Sequence, residues 1–169
     1  MTTHTPAHTT THTLPTGTYL VLRRTAATGA PLWQRVACAL IRWRLVSAYC
    51  HGGILQVTPS GKLHLWHATG TRGLHCVDDD FDPAKWHAHP LPQATAQAVP
   101  SRFAANAGAG YDWLSLLAFV LPWRVSDRKR LYCFEWCALA MGLPVAGRIT
   151  PELLLAAYAM KGEHHARQN

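Results

Sequence analysis

The chain has 169 residues, 49% of them hydrophobic, with seven Trp. That is enough apolar surface for one domain of ordinary size, and it excludes disorder except at the ends. Sixteen Lys and Arg against nine Asp and Glu give a net charge of +7; this favours acidic partners, but no long Lys/Arg run supports specific nucleic-acid binding.

Residues 1–16 form a Thr/His/Pro-rich stretch, expected to be a flexible tail. His4, His8 and His12 are spaced by four, but Thr-rich, Pro-containing sequence is a poor helix former, so the spacing need not align the rings. The opening residues lack the apolar core of an export signal, so cytoplasmic synthesis without a signal peptide is expected. Gly17–Arg24 (GTYLVLRR) is a β-rich run and the first predicted strand. In Pro31–Trp43, apolar residues recur at Leu32, Trp33, Val36, Ala37, Leu40 and Ile41, a helical period with Pro near its start. Four strand-like runs follow: Ile54–Val57 after the pair Gly52-Gly53, then Leu63–His67, Gly73–Val77 and Lys85–Pro90. Tight Gly and Ser turns between them predict an antiparallel meander.

From Gln93 the period is helical again. Helices are predicted over Ala94–Ala107, Asp112–Leu121, Leu131–Leu143 and Pro151–Met160, the last with Thr150 as its N-cap. The most apolar run, 113–123, is interrupted by Pro122. No stretch reaches the ~18 uninterrupted apolar residues of a membrane helix. The expected organisation is a single α+β domain over 17–161, between the tail 1–16 and a frayed C-terminal tail 162–169.

Five cysteines, Cys38, Cys50, Cys76, Cys133 and Cys137, make an odd number. That argues against a complete disulfide framework and for a free thiol in a reducing compartment. Cys76, on the third strand of the series, reads as a small buried filler. The informative segment is Leu131–Gly142, LYCFEWCALAMG. It places Cys133 in the first turn of a buried helix, where unpaired backbone N–H groups and the helix dipole favour a thiolate. Upstream, Tyr49-Cys50-His51-Gly52-Gly53 sets a His where a loop enters a strand, and the two glycines allow another chain to approach. A Cys on a helix N-terminus with a His on a sheet is the arrangement of Cys–His catalysis. Cys133 and Cys137 are four apart, but no second Cys/His pair lies at a zinc-finger interval. Neither metal nor organic cofactor is expected. The run Asp78-Asp79-Asp80 lacks the Gly and Glu of a calcium loop and reads as a solvated turn.

The order His-Gly-Gly-Ile-Leu, then a strand ending in Leu-Trp-His-Ala, then Tyr-Asp-Trp, then Tyr-Cys-Phe-Glu-Trp-Cys-Ala-Leu-Ala, resembles the circularly permuted NlpC/P60 peptidases. In these papain-like cysteine hydrolases the His-bearing sheet precedes the Cys-bearing helix. The likeness spans roughly 17–143 and rests on short clusters. It implies a papain-like antiparallel sheet or small barrel packed against helices. Carried over residue by residue, it implies Cys133 as nucleophile, His51 as base and His67 as the third residue that orients the imidazole, with His64 on the opposite strand face as competitor. Tyr111 is expected as a pocket wall, Cys50 at the rim of the site, and Glu135 at the helix start; these three are the candidate substrate-side residues. Phe134 and Cys50 stand where Ser is usual in the family, and His67 where Glu is frequent.

The implied reaction is hydrolysis of an amide through a thioester, with peptidoglycan peptides as substrate. The setting it suggests is a phage tail with other virion tail proteins as partners. The rivals are a lipid acyltransferase or thioesterase of the same fold, and a catalytically inactive structural module.

Overall fold

The run Tyr19–Leu22 is apolar without alternation, the pattern of a strand covered on both faces. The computed structural model, which describes residues 14–27, 29–78, 81–112, 130–145 and 148–166, shows that placement. Strands β1 (Gly17–Arg23), β2 (His51–Val57), β3 (Leu63–Thr69), β4 (Gly73–Asp78) and β5 (Trp86–Pro90) form one antiparallel sheet in the order β4-β3-β2-β1-β5. Leu20, Leu22, Ile54, Trp66, Ala68 and Leu74 point to one face and join the larger apolar core. Tyr19, Val21, Leu55, Val57, Leu63 and Leu65 point to the other and pack with Phe81 and Trp86.

The expected meander holds for β2, β3 and β4 only. β5 skips β4 and pairs with β1 at the opposite edge, with Val21 opposite Ala88. This seals the outer hydrogen-bonding edge of a strand too apolar to leave open. Over the described residues the sheet is open, with β4 and β5 as its edges, and is not a barrel. Two short strands, β6 (Gly110–Tyr111) and β7 (Arg130–Leu131), add a parallel bridge beside β4.

Four helices complete the described α+β fold: α1 (Leu32–Leu45), α2 (Gln93–Asn106), α3 (Cys133–Ala140) and α4 (Pro151–Ala166). The helix expected over Asp112–Leu121 lies outside the described residues apart from Asp112, whose N–H donates to Leu131 O. Apart from Glu135, α3 is apolar all round, and seven of its residues are buried, as befits a central helix. It lies directly on β2 because Gly52 has no side chain. A Cβ there would stand 3.1 Å from both Cys137 Sγ and Phe134 Cδ1. Trp136 Nε1 donates to Trp66 O at 2.9 Å, and Arg102 of α2 donates to Ala140 O at 2.6 Å, fixing both helices to the core. Thr150 Oγ1 accepts the Leu153 N–H at 3.2 Å, the expected N-cap of α4. That helix continues to Ala166, past its predicted end at Met160.

One cysteine expectation, that for Cys76, is corrected, and one bond lay outside the sequence reading. Cys38 of α1 and Cys50 are joined in a disulfide, so Cys50 carries no thiol. Their pairing depends on α1 folding back onto the start of β2, which local sequence does not show. Cys76 is exposed, because β4 lies at a sheet edge. No helix among the described residues is long and apolar enough to cross a membrane.

Candidate functional site

Cys133 opens α3. Tyr132 before it is extended (φ −93°, ψ 169°), and its N–H donates to Glu135 Oε2 at 3.2 Å, so the first turn is closed by its own glutamate. The Cys133 sulfur receives the backbone N–H groups of Gly52, Phe134 and Cys133 itself. Burial pushes the thiol up to about 11, while these amides pull it the other way. Cys133 is 1% exposed, and the Tyr111 hydroxyl is hydrogen-bonded to it. Cys137, one turn further on, is enclosed in the core, and burial raises its thiol well above the ordinary range.

Alternation along β2 decides where His51 points. Gly52 faces α3, so His51 and Gly53 face the other way, where a Gly53 Cβ would stand 3.1 Å from His67 Cβ. His51 Nε2 and His67 Nδ1 are 3.1 Å apart in a buried hydrogen bond. Sequence position alone left His64 as a rival; its Nδ1 is bonded instead to Asp78 Oδ1 at 2.7 Å. The thiol therefore meets β2 at the main chain of Gly52, and among the described residues no hydrogen bond joins it to the His51 ring.

Both imidazoles resist protonation. Burial, then the charges of Arg23, His67 and His75, lowers His51 well below its usual value. Burial, then His75 and Arg23, lowers His67 to about 3. Arg23 lies opposite His51 in the β1–β2 register and stacks over the Trp86 ring, 5.1 Å from its centroid. His75 sits opposite His67 on β4, with ring centroids 4.6 Å apart. His67 Nε2 is buried without a hydrogen-bond partner. Arg23, His75 and Trp86 were not singled out from sequence. The register of β3 against β4 would have exposed His75, since it places residue 75 across from residue 67.

An open cleft of about 480 Å³ runs between α1 and the ends of β2–β4, lined by His51, His67, His75, Tyr111, Arg23 and the Cys38–Cys50 pair among others. Cys133 lies behind Tyr111, off the cleft wall. Glu135 is buried at the base of α3 and faces Tyr132 N–H. Burial and the Asp112 carboxylate raise it to about 7, against the Tyr132 N–H. Of the candidate residues, the structure thus brings His51, His67, Tyr111 and Cys50 to one cleft; Cys133 lies off its wall, bonded to Tyr111, and Glu135 is buried at the start of α3. A separate trio on the β3–β4 edge, His64, Cys76 and Asp78, has ligand atoms within 4.8 Å of one another, a donor set that would suit a zinc-type ion.

No protein-family model matches the chain, and no curated protein matches it.

Proposed function

We propose that the chain is a papain-like cysteine hydrolase of the permuted NlpC/P60 kind, acting on an amide bond. The carrying observation is the position of Cys133 in the first turn of α3 against the Gly52 main chain, where the backbone amides of Gly52, Phe134 and Cys133 itself favour its thiolate. Donors fixed in this way stabilise negative charge on sulfur and on a tetrahedral oxyanion formed beside it. The His51–His67 bond supplies the other half. With Nε2–H of His51 donating to Nδ1 of His67, Nδ1 of His51 is left as a free base, and His67 fixes that tautomer.

The reaction requires the His51 ring, which faces away from α3, to reach the thiol across the Gly52 main chain; Cys133 sulfur then attacks the carbonyl and its proton passes to His51. That proton then leaves with the amine, giving a thioester, and water hydrolyses the thioester to a carboxylate and restores the thiol. At neutral pH the resting pair is thiol and neutral imidazole, so proton transfer accompanies attack and is not stored beforehand. The peptidoglycan stem is the substrate class that the family resemblance implies, and a phage tail is the assembly that would carry such an enzyme to it. Incubation with purified cell walls should release soluble peptide fragments, and Cys133→Ala should abolish the release. Release that survives Cys133→Ala would refute the assignment.

A second reading, a non-catalytic module, has the burial of Cys133 and its separation from the His51 ring in its favour. It requires the Cys133 sulfur to be inert toward every acyl donor.

A further inference from the structure

α1 buries only Cys38, yet it carries a continuous apolar face. Leu32, Trp33, Val36, Leu40 and Trp43 fall within an arc of roughly 100° on a helix of ordinary pitch. They are 72%, 51%, 49%, 51% and 76% exposed, and Val46 at the C-cap is 91% exposed. The opposite side of the helix, with Ile41 and Leu45, rests on the core. Every charge on α1 is an arginine, Arg35, Arg42 and Arg44; all three are exposed and they flank the apolar arc on both sides. The charge pattern extends well beyond the helix. The first acidic residue of the chain is Asp78, so the seven Lys and Arg that precede it account for the whole net charge of +7.

We propose that α1 docks the protein onto an anionic lipid bilayer, its apolar face lying in the headgroup–acyl boundary and its arginines on the lipid phosphates. An exposed face of this size with paired Trp residues matches an interfacial helix better than a solvated one. Trp favours that boundary because its ring is apolar and its N–H polar, and Arg can bury its stem while its head stays in the phosphate layer. Charge selects the lipid. A helix with three cations and no acid, in a chain half with no acid at all, is attracted to phosphatidylglycerol-type headgroups and not to zwitterionic ones. The Cys38–Cys50 bond holds the helix in place, and Trp33 at one edge of the apolar face lines the cleft beside His51 together with Gln34, Ala37 and Ile41. Docking therefore sets the mouth of that cleft against the membrane surface. None of this depends on whether Cys133 reacts.

The test is flotation of the full chain with vesicles of phosphatidylcholine alone or mixed with phosphatidylglycerol, at low and high salt. The expected result is binding to the anionic vesicles only, weakened by salt. Leu40→Ser with Trp43→Ser should reduce binding by roughly tenfold or more, because it removes buried apolar area. Arg42→Gln with Arg44→Gln should reduce it by about fivefold per arginine. Circular dichroism of each variant establishes that the fold is retained. Failure of the parent chain to float, or flotation unchanged by the Leu40/Trp43 substitutions, would overturn the proposal. So would a concentration-dependent dimer that these substitutions dissolve, since a second copy would then occupy the face.

Discussion

Two buried acid–base groups pull the stability of this protein in opposite directions with pH. His67 titrates at about 3 when folded and at its ordinary 6.5 when unfolded. The unfolded chain therefore takes up the proton first, and stability falls as pH drops from 6.5 toward 3. At pH 5 the loss from this residue is about 2 kcal/mol, and His51 adds to it in the same sense. His67→Gln keeps a neutral hydrogen-bonding side chain and should flatten the acid limb of a plot of thermal midpoint against pH. Glu135 runs the other way: it titrates at about 7 folded and 4.5 unfolded, so its contribution is lost as pH rises through that window. Glu135→Gln leaves an acceptor for Tyr132 N–H. It should stabilise the protein above pH 7 by on the order of 1–3 kcal/mol, with little effect below pH 4.5. A Glu135→Gln variant no more stable than the parent in alkali would show that Glu135 is ionised without penalty.

At the scale of elements, the contact of α3 with β2 fixes where the thiol lies, and Gly52 is its pivot. Gly52→Ala inserts a methyl at 3.1 Å from Cys137 and Phe134, so either α3 or β2 must shift. Overpacking of this kind destabilises by about 1–3 kcal/mol and would carry Cys133 away from the Gly52 N–H; chemical denaturation measures the first effect. The Gly-Gly pair after His51 was legible in the sequence as a close approach of chains, and the strand periods were legible to within a few residues. The pairing of β5 with β1 was not, because alternation tells which side chains share a face but not which edge the strand will join. The Cys38–Cys50 bond was hidden for a related reason. An odd cysteine count constrains the total, whereas the bond depends on α1 returning over the start of β2. His51 and His67 were paired by the family resemblance, and alternation along β3 separated His67 from His64. The side of the sheet on which they meet, away from α3, follows only from the three-dimensional alternation at Gly52.

Over the described residues, the candidate chemistry is gathered around one cleft. The His51–His67 pair, the Cys38–Cys50 bond and one flank of α1 line this cleft, and Cys133 lies off its wall behind Tyr111. The central claim is that this sulfur accepts an acyl group with help from His51. Mixing the protein with 4-nitrophenyl acetate and locating the acetyl group by peptide mass mapping tests it most directly. The expected result is a burst of nitrophenolate with a thioester on Cys133, slowed roughly a hundredfold or more in His51→Ala, as for loss of a general base. Equal acetylation of Cys133 in His51→Ala, or acetylation confined to the exposed Cys76, would contradict it.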